Sequence, residues 1–177
     1  MTIKIFIDQG HNPSLINAGA NAGDTQEADV TFIVGRFLAE LLNNDVRFEA
    51  KVSRPSADTV LGTTIRESLQ ARVDLANEWN ADYFISIHAN ANTNSNIQGA
   101  EVYLYQNNEE SEALAQNILD GLHEVTNVKD NGVRFNPSLF VNLLFYIFCK
   151  IFLIFQCLWF FITYSHKHTS VWFLNHL

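Results

Sequence analysis

Two histidines and one glutamate, in three separate segments, have the residue types of a metal site. His11 follows the apolar run "IKIFID", Glu27 begins a helical pattern, and His88 ends the run "YFISIH". Two imidazoles and one carboxylate are a known ligand set of catalytic zinc, which keeps a fourth position for water. Zinc held in this way lowers the pKa of its bound water and polarises a carbonyl group.

Each of these residues also has a simpler interpretation. His11 could be a turn residue, Glu27 could favour the positive end of a helix dipole, and His88 could donate to a backbone carbonyl in the core. Convergence of the three favours the ligand interpretation, as does the small polar run "ANANTNSN" after His88, which leaves room for a substrate. Asp8 is predicted to orient a ligand imidazole by a hydrogen bond, with a strand-end cap as the alternative.

Alternating strand and helix patterns must position these residues. Strands are predicted at "IKIFID", "RFEAKVS", "DYFISIHA" and "AEVYLY", and amphipathic helices at "EADVTFIVGRFLAELLNN", "TTIRESLQARVDLANEW" and "SEALAQNILDGLHEV". This order predicts a three-layer α/β fold with a central, mostly parallel sheet and helices on both faces. Sites in such sheets gather beyond the carboxyl ends of the strands, so the candidate ligands are expected at one edge.

Apolar spacing predicts which helix residues face the sheet. The first helix is predicted to present Val30, Ile33, Phe37, Leu38, Leu41 and Leu42. The second is predicted to present Ile65, Leu69, Val73, Ala76 and Trp79, with Thr63 or Thr64 as its N-cap. The third is predicted to present Leu114, Ile118, Leu122 and Val125.

Length and charge limit the class of protein. The chain of 177 residues has the size of one ordinary domain, and its net charge of −8 argues against a nucleic-acid-binding surface. Cys149 and Cys157 lie in an apolar run and fit neither a disulfide framework nor a zinc knuckle. The N-terminus enters a strand pattern directly, without the apolar region or cleavage site of a secretory signal.

The composition changes abruptly near Phe140. All 19 acidic residues lie at or before Asp130, whereas residues 141–177 hold two lysines and seven of the 14 phenylalanines. We therefore divide the chain into a domain over residues 1–140 and an apolar tail over residues 141–177. The tail could be a membrane anchor over residues 143–163, although Lys150 lies inside that span. It could instead be a core strand and helix. The third interpretation, which we favour, is that a reading-frame change near residue 140 produced the tail. We do not interpret the tail histidines as metal ligands: His166, His168 and His176.

The ordered set of segments resembles the bacterial zinc-dependent N-acetylmuramoyl-L-alanine amidases found in autolysins, sporulation hydrolases and phage endolysins. The resemblance rests on "IFIDQGHNP", "GDTQEADVTFIVGRFLAELL", "VSRPSAD", "LQARVDLANEWNADYFISIHANA", "GAEVYLY" and "SEALAQNI", and covers about residues 3–140. It implies that zinc is bound by His11, Glu27 and His88. It also implies cleavage of the peptidoglycan amide between muramic acid and the first L-alanine, at the cell wall and outside the cell.

The chain departs from the family where a catalytic carboxylate is expected. In the family that residue lies in a late strand reading like "VLVEIGFLSN", and here no Asp or Glu follows Asp130. The general base is therefore missing and no catalytic residue is assigned. Glu101 is the nearest internal carboxylate, and the resemblance gives it a structural place. Four further residues are predicted to serve structure or substrate contacts: Arg54, Arg72, Asn90 and Asn92.

Three other functions fit the sequence. The first is a zinc-containing module that binds peptidoglycan without cutting it, which the missing carboxylate favours. The second is a cell-wall protein tethered to the membrane through residues 143–163. The third is a metal-dependent peptidase, which would release amino acids where an amidase releases intact stem peptides.

Overall fold

The computed structural model describes residues 1–22, 24–89, 98–106, 108–139 and 146–152, the last of these as backbone only. Within these residues the elements are β1 (Ile3–Gln9), β2 (Asn21–Ala22), β3 (Thr25–Gln26), α1 (Glu27–Asn43), β4 (Phe48–Val52), α2 (Ile65–Glu78), β5 (Tyr83–Ala89), β6 (Gly99–Leu104), α3 (Glu109–Thr126), β7 (Asp130–Phe135) and β8 (Tyr146–Phe152). No helix among them combines the length and apolarity needed to cross a bilayer.

Six strands form the central sheet in the order β4–β1–β5–β8–β6–β7. The first four run parallel, β6 runs antiparallel to β8, and β7 runs parallel to β6. Helices α1 and α2 pack against alternate residues of β1 and β5, and therefore lie on opposite faces of the sheet. The predicted three-layer α/β fold with a mostly parallel sheet is confirmed.

Strand β8 lies beyond the predicted domain boundary at residue 140. It pairs with β5 on one side and β6 on the other, so tail residues occupy a central place in the sheet. Its carboxyl end lies at the same edge as the ends of β1 and β5, because these three strands are parallel. The remainder of the predicted membrane span, residues 143–145 and 153–163, lies outside the described residues, as do the three tail histidines.

Helix α1 approaches the sheet through small residues. Its buried positions include Ala28, Thr31, Gly35 and Ala39, at the spacing of one helix face. A Cβ at Gly35 would lie 2.4 Å from Cγ of Gln9, which shows how closely helix and sheet pack. The prediction that Ile33 and Phe37 face the sheet is wrong, because this stripe of small residues takes that face and leaves them 37% and 36% exposed.

Helix α2 presents a partly polar face to the sheet. Its buried residues are Ser68, Arg72, Val73 and Ala76, while Ile65 is 62% exposed, so the prediction that Ile65 faces inward is wrong. Ile65 is the first residue of the helix, where the chain is still at the protein surface. The N-cap prediction is confirmed at Thr64, whose side chain accepts a hydrogen bond from the backbone N–H of Glu67. The two buried polar residues on this face contact the candidate site.

Candidate metal centre

Three donor atoms converge at the carboxyl edge of the sheet. Nε2 of His11 lies 3.0 Å from Nδ1 of His88, and each lies 3.2 Å from Oε1 of Glu27. Tetrahedral zinc with ligands at roughly 2.0–2.1 Å needs neighbouring donors about 3.3 Å apart. The three separations are close to that value, and among the described residues this is the group of ligating side chains that could hold a metal ion.

His11 lies in the loop after β1, in a left-handed conformation with φ of 69°. Its Nδ1 lies 3.1 Å from the backbone oxygen and 3.2 Å from the side-chain oxygen of Asn17. Because Nδ1 donates to these oxygens, Nε2 keeps its lone pair for the metal position. Gly19 lies against the ring, where a Cβ would be 2.6 Å from Cγ of His11, so only glycine fits there.

Glu27 is the first residue of α1, and its carboxylate is held by backbone donors. The N–H of Ala89 donates to Oε1 and the N–H of Ala20 donates to Oε2, each at 2.9 Å. Burial by itself raises the pKa of Glu27, but the polar contacts of its carboxylate with His11 and His88 and the hydrogen bond from the Ala20 N–H outweigh it and place the pKa well below its ordinary value. The carboxylate is therefore ionised, as a metal ligand must be.

His88 occupies the end of β5, with its ring against the backbone of Gly10. A Cβ at Gly10 would lie 2.6 Å from Nε2 of His88. Burial lowers the pKa of His88, and this outweighs the opposing effect of its hydrogen bond to Glu27. The imidazole is therefore neutral at physiological pH, which is the form that binds metals.

A buried ion pair lies beneath these residues. Nη1 of Arg72 is 2.5 Å from Oδ1 of Asp8, and both residues are almost fully buried. Burial raises the pKa of Asp8, but the charge and hydrogen bonds of Arg72 and a hydrogen bond from Ser86 bring it below its ordinary value. Arg72 also donates through Nη2 to the backbone oxygen of His11 at 2.6 Å. Asp8 thus acts on the His11 loop through Arg72.

Arg54 is completely buried at the end of β4. It donates to the backbone oxygen of Ala28, directly after Glu27, and its backbone N–H donates to the side chain of Gln9. Burial and the nearby charge of Arg72 lower the pKa of Arg54 to about 10, so the side chain remains cationic. These contacts give Arg54 a structural place behind the metal position. Asn90 and Asn92 lie outside the described residues.

Glu101 and Lys150 lie in line with His88 across neighbouring strands. Lys150 of β8 is in register with His88 on one side and with Glu101 on the other. Two strand spacings therefore separate Glu101 from His88, or about 9–10 Å. The Glu101 carboxylate accepts from Arg134 Nε at 3.0 Å and from the Tyr103 hydroxyl at 3.1 Å.

Three residues of the metal centre could not be predicted from the sequence. Asn17, Gly10 and Gly19 are small residues in or beside a loop, and only the fold brings them against the two imidazoles.

The fold and the donor set together define the class of protein. An α/β protein with two imidazoles and a carboxylate at the carboxyl edge of its sheet has the arrangement of a metal-dependent hydrolase.

Comparisons with known proteins identify the family. The family described as N-acetylmuramoyl-L-alanine amidase matches residues 5–157. The amidase CwlM of Bacillus licheniformis is 39% identical over 104 residues, which are 58% of this chain and 36% of CwlM. The amidase LytC of Bacillus subtilis is 35% identical over 133 residues, which are 73% of this chain and 25% of LytC. The chain thus spans only about a quarter to a third of the length of these relatives.

Solved structures show the same fold. The N-acetylmuramoyl-L-alanine amidase from Clostridium difficile 630 superposes with a TM-score of 0.77 at 23% identity, covering 99% of this chain and 94% of that one. AmiC2 of Nostoc punctiforme superposes with a TM-score of 0.76 at 23% identity, covering 98% and 96%. Because the family match extends over most of the chain, this protein belongs to the N-acetylmuramoyl-L-alanine amidase family.

Proposed function

We propose that this chain is a zinc-dependent hydrolase that cleaves the peptidoglycan amide between N-acetylmuramic acid and L-alanine. The observation that carries the proposal is the convergence of His11, Glu27 and His88 at the edge of the sheet, in a chain of this family. The relatives CwlM and LytC are named for the same activity. Peptidoglycan is accordingly the proposed partner, and the cell wall is the proposed place of action.

The residues of the chain support zinc in particular. Two imidazoles and one ionised carboxylate, with donor separations of 3.0–3.2 Å, suit a small tetrahedral ion. Backbone N–H groups hold both oxygens of Glu27, so the carboxylate is oriented before the metal arrives. Zinc bound at this site would polarise the scissile carbonyl and activate a water molecule.

A second function is favoured by the composition of β8. Strand β8 pairs with β5, the strand that carries His88. The residue of β8 in register with His88 is Lys150. No carboxylate in the sequence after Asp130 can serve as the general base that hydrolysis requires. The alternative is therefore a zinc-containing module that binds peptidoglycan without cutting it. The Glu101 carboxylate already accepts hydrogen bonds from Arg134 and Tyr103, so it is not free to act as the general base. This supports the alternative.

One experiment separates these functions. Purified chain loaded with zinc is incubated with purified peptidoglycan, and both the sedimented fraction and the soluble products are analysed. An amidase releases intact stem peptides with a new N-terminal L-alanine, whereas a peptidase releases amino acids or shortened peptides. Sedimentation with peptidoglycan without soluble product would show the binding module. Zinc-loaded protein that neither sediments nor releases product would refute both proposals.

The division into a domain over residues 1–140 and a tail over residues 141–177 remains a proposal. The reading-frame interpretation is supported by the change in composition near Phe140, and it predicts that close relatives share the chain before that point and not after it. Sequencing of the coding DNA across codons 135–145 tests it directly. A membrane anchor predicts that the full chain is extracted from membranes only by detergent.

A further inference from the structure

Asn17 contacts His11 on the side of the ring that faces away from the other two ligands. Both its backbone oxygen and its side-chain oxygen lie within 3.2 Å of Nδ1 of His11. We propose that Asn17 is a positioning residue of the metal centre, which fixes the tautomer and the ring orientation of His11. This inference rests on the proposed zinc site and adds a residue that the ligand set does not contain.

The tautomer of His11 decides whether it can bind a metal. When Nδ1 carries the proton and donates it to the Asn17 oxygens, the lone pair of Nε2 points toward Glu27 and His88. Without these acceptors, the proton could reside on Nε2 and the ring could rotate. Loss of the hydrogen-bond partner of a ligating histidine typically costs about 10–100-fold in metal affinity.

Asn17 is itself held by the buried polar face of α2. Its Nδ2 donates to the hydroxyl of Ser68 at 3.2 Å, and Ser68 is completely buried. Its backbone oxygen also accepts from the N–H of Asn12 at 2.9 Å. Asn12 in turn donates to Ser68 at 3.3 Å and accepts from Arg72 at 3.0 Å. These bonds connect the His11 loop to α2, and they account for polar residues at positions of α2 that face the core, because buried polar groups need partners.

The backbone of Asn17 allows clean substitutions. Its φ is 56°, in the left-handed region that asparagine and glycine tolerate best. Asn17→Gly therefore removes the side chain without backbone strain, and Asn17→Ala adds the strain. Asn17→Asp keeps the acceptor that faces His11 but loses the donor to Ser68. Asn80 has nearly the same φ, 55°, and its side chain donates to the backbone oxygen of Glu78, which is not part of the metal centre. Asn80→Ala is therefore the matched control for backbone strain.

The experiment measures zinc affinity by competition with a chelator for the full chain and these four variants. We expect about 10–100-fold weaker binding in Asn17→Ala and a smaller loss in Asn17→Gly, because both keep the backbone acceptor but only alanine strains the left-handed backbone that presents it. Asn17→Asp should retain affinity near that of the wild type, and Asn80→Ala should leave it unchanged. The Co²⁺-substituted protein should show an altered visible spectrum in Asn17→Ala and Asn17→Gly but not in Asn17→Asp or Asn80→Ala, because a merely structural role would not change the ligand field.

Two results would overturn the inference separately. Wild-type affinity and an unchanged Co²⁺ spectrum in both Asn17→Gly and Asn17→Ala would refute the role of Asn17 and leave the metal centre intact. Absence of zinc binding by the wild-type chain would refute the centre itself, and the role of Asn17 with it. If Asn17→Ala does not fold, Asn17→Gly and Asn17→Asp carry the comparison.

Discussion

The contact between Gly10 and the His88 ring yields the sharpest test of the metal centre. A Cβ added at Gly10 would lie 2.6 Å from both Cε1 and Nε2 of His88, and 2.6 Å from the backbone oxygen of Ile87. Ordinary van der Waals contact begins at 3.4 Å, so Gly10→Ala requires a displacement of roughly 0.8 Å. The Ile87 oxygen accepts from the Gly10 N–H at 3.0 Å within the sheet, which leaves the ring as the part that moves more easily.

A displacement of this size exceeds what metal coordination tolerates. Metal–ligand distances stay within about 0.2 Å of their ideal values, so His88 would leave the geometry that His11 and Glu27 retain. We expect zinc affinity to fall by roughly 100-fold or more, beyond the loss seen when only the support of a ligand is removed. The overpacked backbone should also lower the free energy of unfolding by about 1–3 kcal/mol.

The assay is chelator competition for zinc, together with chemical unfolding of the metal-free protein. Gly35→Ala is the matched control, because its Cβ would meet Cγ of Gln9 at 2.4 Å, an equally tight contact that involves no candidate ligand. Gly35→Ala should therefore lose stability but keep most of its zinc affinity. The reasoning fails if folded Gly10→Ala binds zinc as tightly as the wild type, or if both variants lose zinc equally.

Three further predictions concern the ligands, the missing carboxylate and pH. His11→Ala or His88→Ala should abolish the binding of stoichiometric zinc, as measured by metal analysis. The control His123→Ala, which changes an exposed histidine of α3, should leave zinc bound. Zinc retained in either ligand variant would contradict the site. Lys150→Glu should raise peptidoglycan hydrolysis by about 10²–10⁴-fold, while Lys150→Gln should not; equal rates would show that a carboxylate beside His88 is not what limits activity. The free energy of unfolding of the metal-free protein should fall on acidification. The folded-state pKa of His88 lies below its ordinary 6.5 and that of Asp8 below its ordinary 3.8, so in both cases the unfolded chain takes up the proton first. Denaturant unfolding at successive pH values checks this, and greater stability at acidic pH would refute it.

Long periodic segments made much of the fold predictable. The strands β1, β4, β5 and β6 and the helices α1, α2 and α3, which are five to 18 residues long, follow apolar patterns, and each was expected close to its observed position. Strand β7, with the sequence "DNGVRF", was not predicted because it has one apolar pair and a central glycine. Strand β8 belongs to a segment so uniformly apolar that strand, anchor and helix patterns are indistinguishable in it.

Helix faces were predicted less well than helix positions. Ile33 and Phe37 have the hydrophobicity of core residues, yet close packing at Gly35 gives the sheet-facing side of α1 to smaller side chains. Hydrophobic periodicity identifies an apolar stripe but cannot show how near the helix lies to the sheet. The same limit hides the polar contacts of α2, because Ser68 and Arg72 read as surface residues until their partners are known.

The sequence by itself determined the class of fold, the three residues with the chemistry of a metal site, and the lack of any carboxylate after Asp130. These properties depend on residue type, residue order and local hydrophobic periodicity, all of which are present in the linear sequence. Only the tertiary structure decided that the three donors lie 3.0–3.2 Å apart, that Asn17 and Gly10 lie against the two imidazoles, and that Lys150 is in register with His88. Those facts depend on strand order and loop geometry, which bring together residues as far apart as positions 11 and 88.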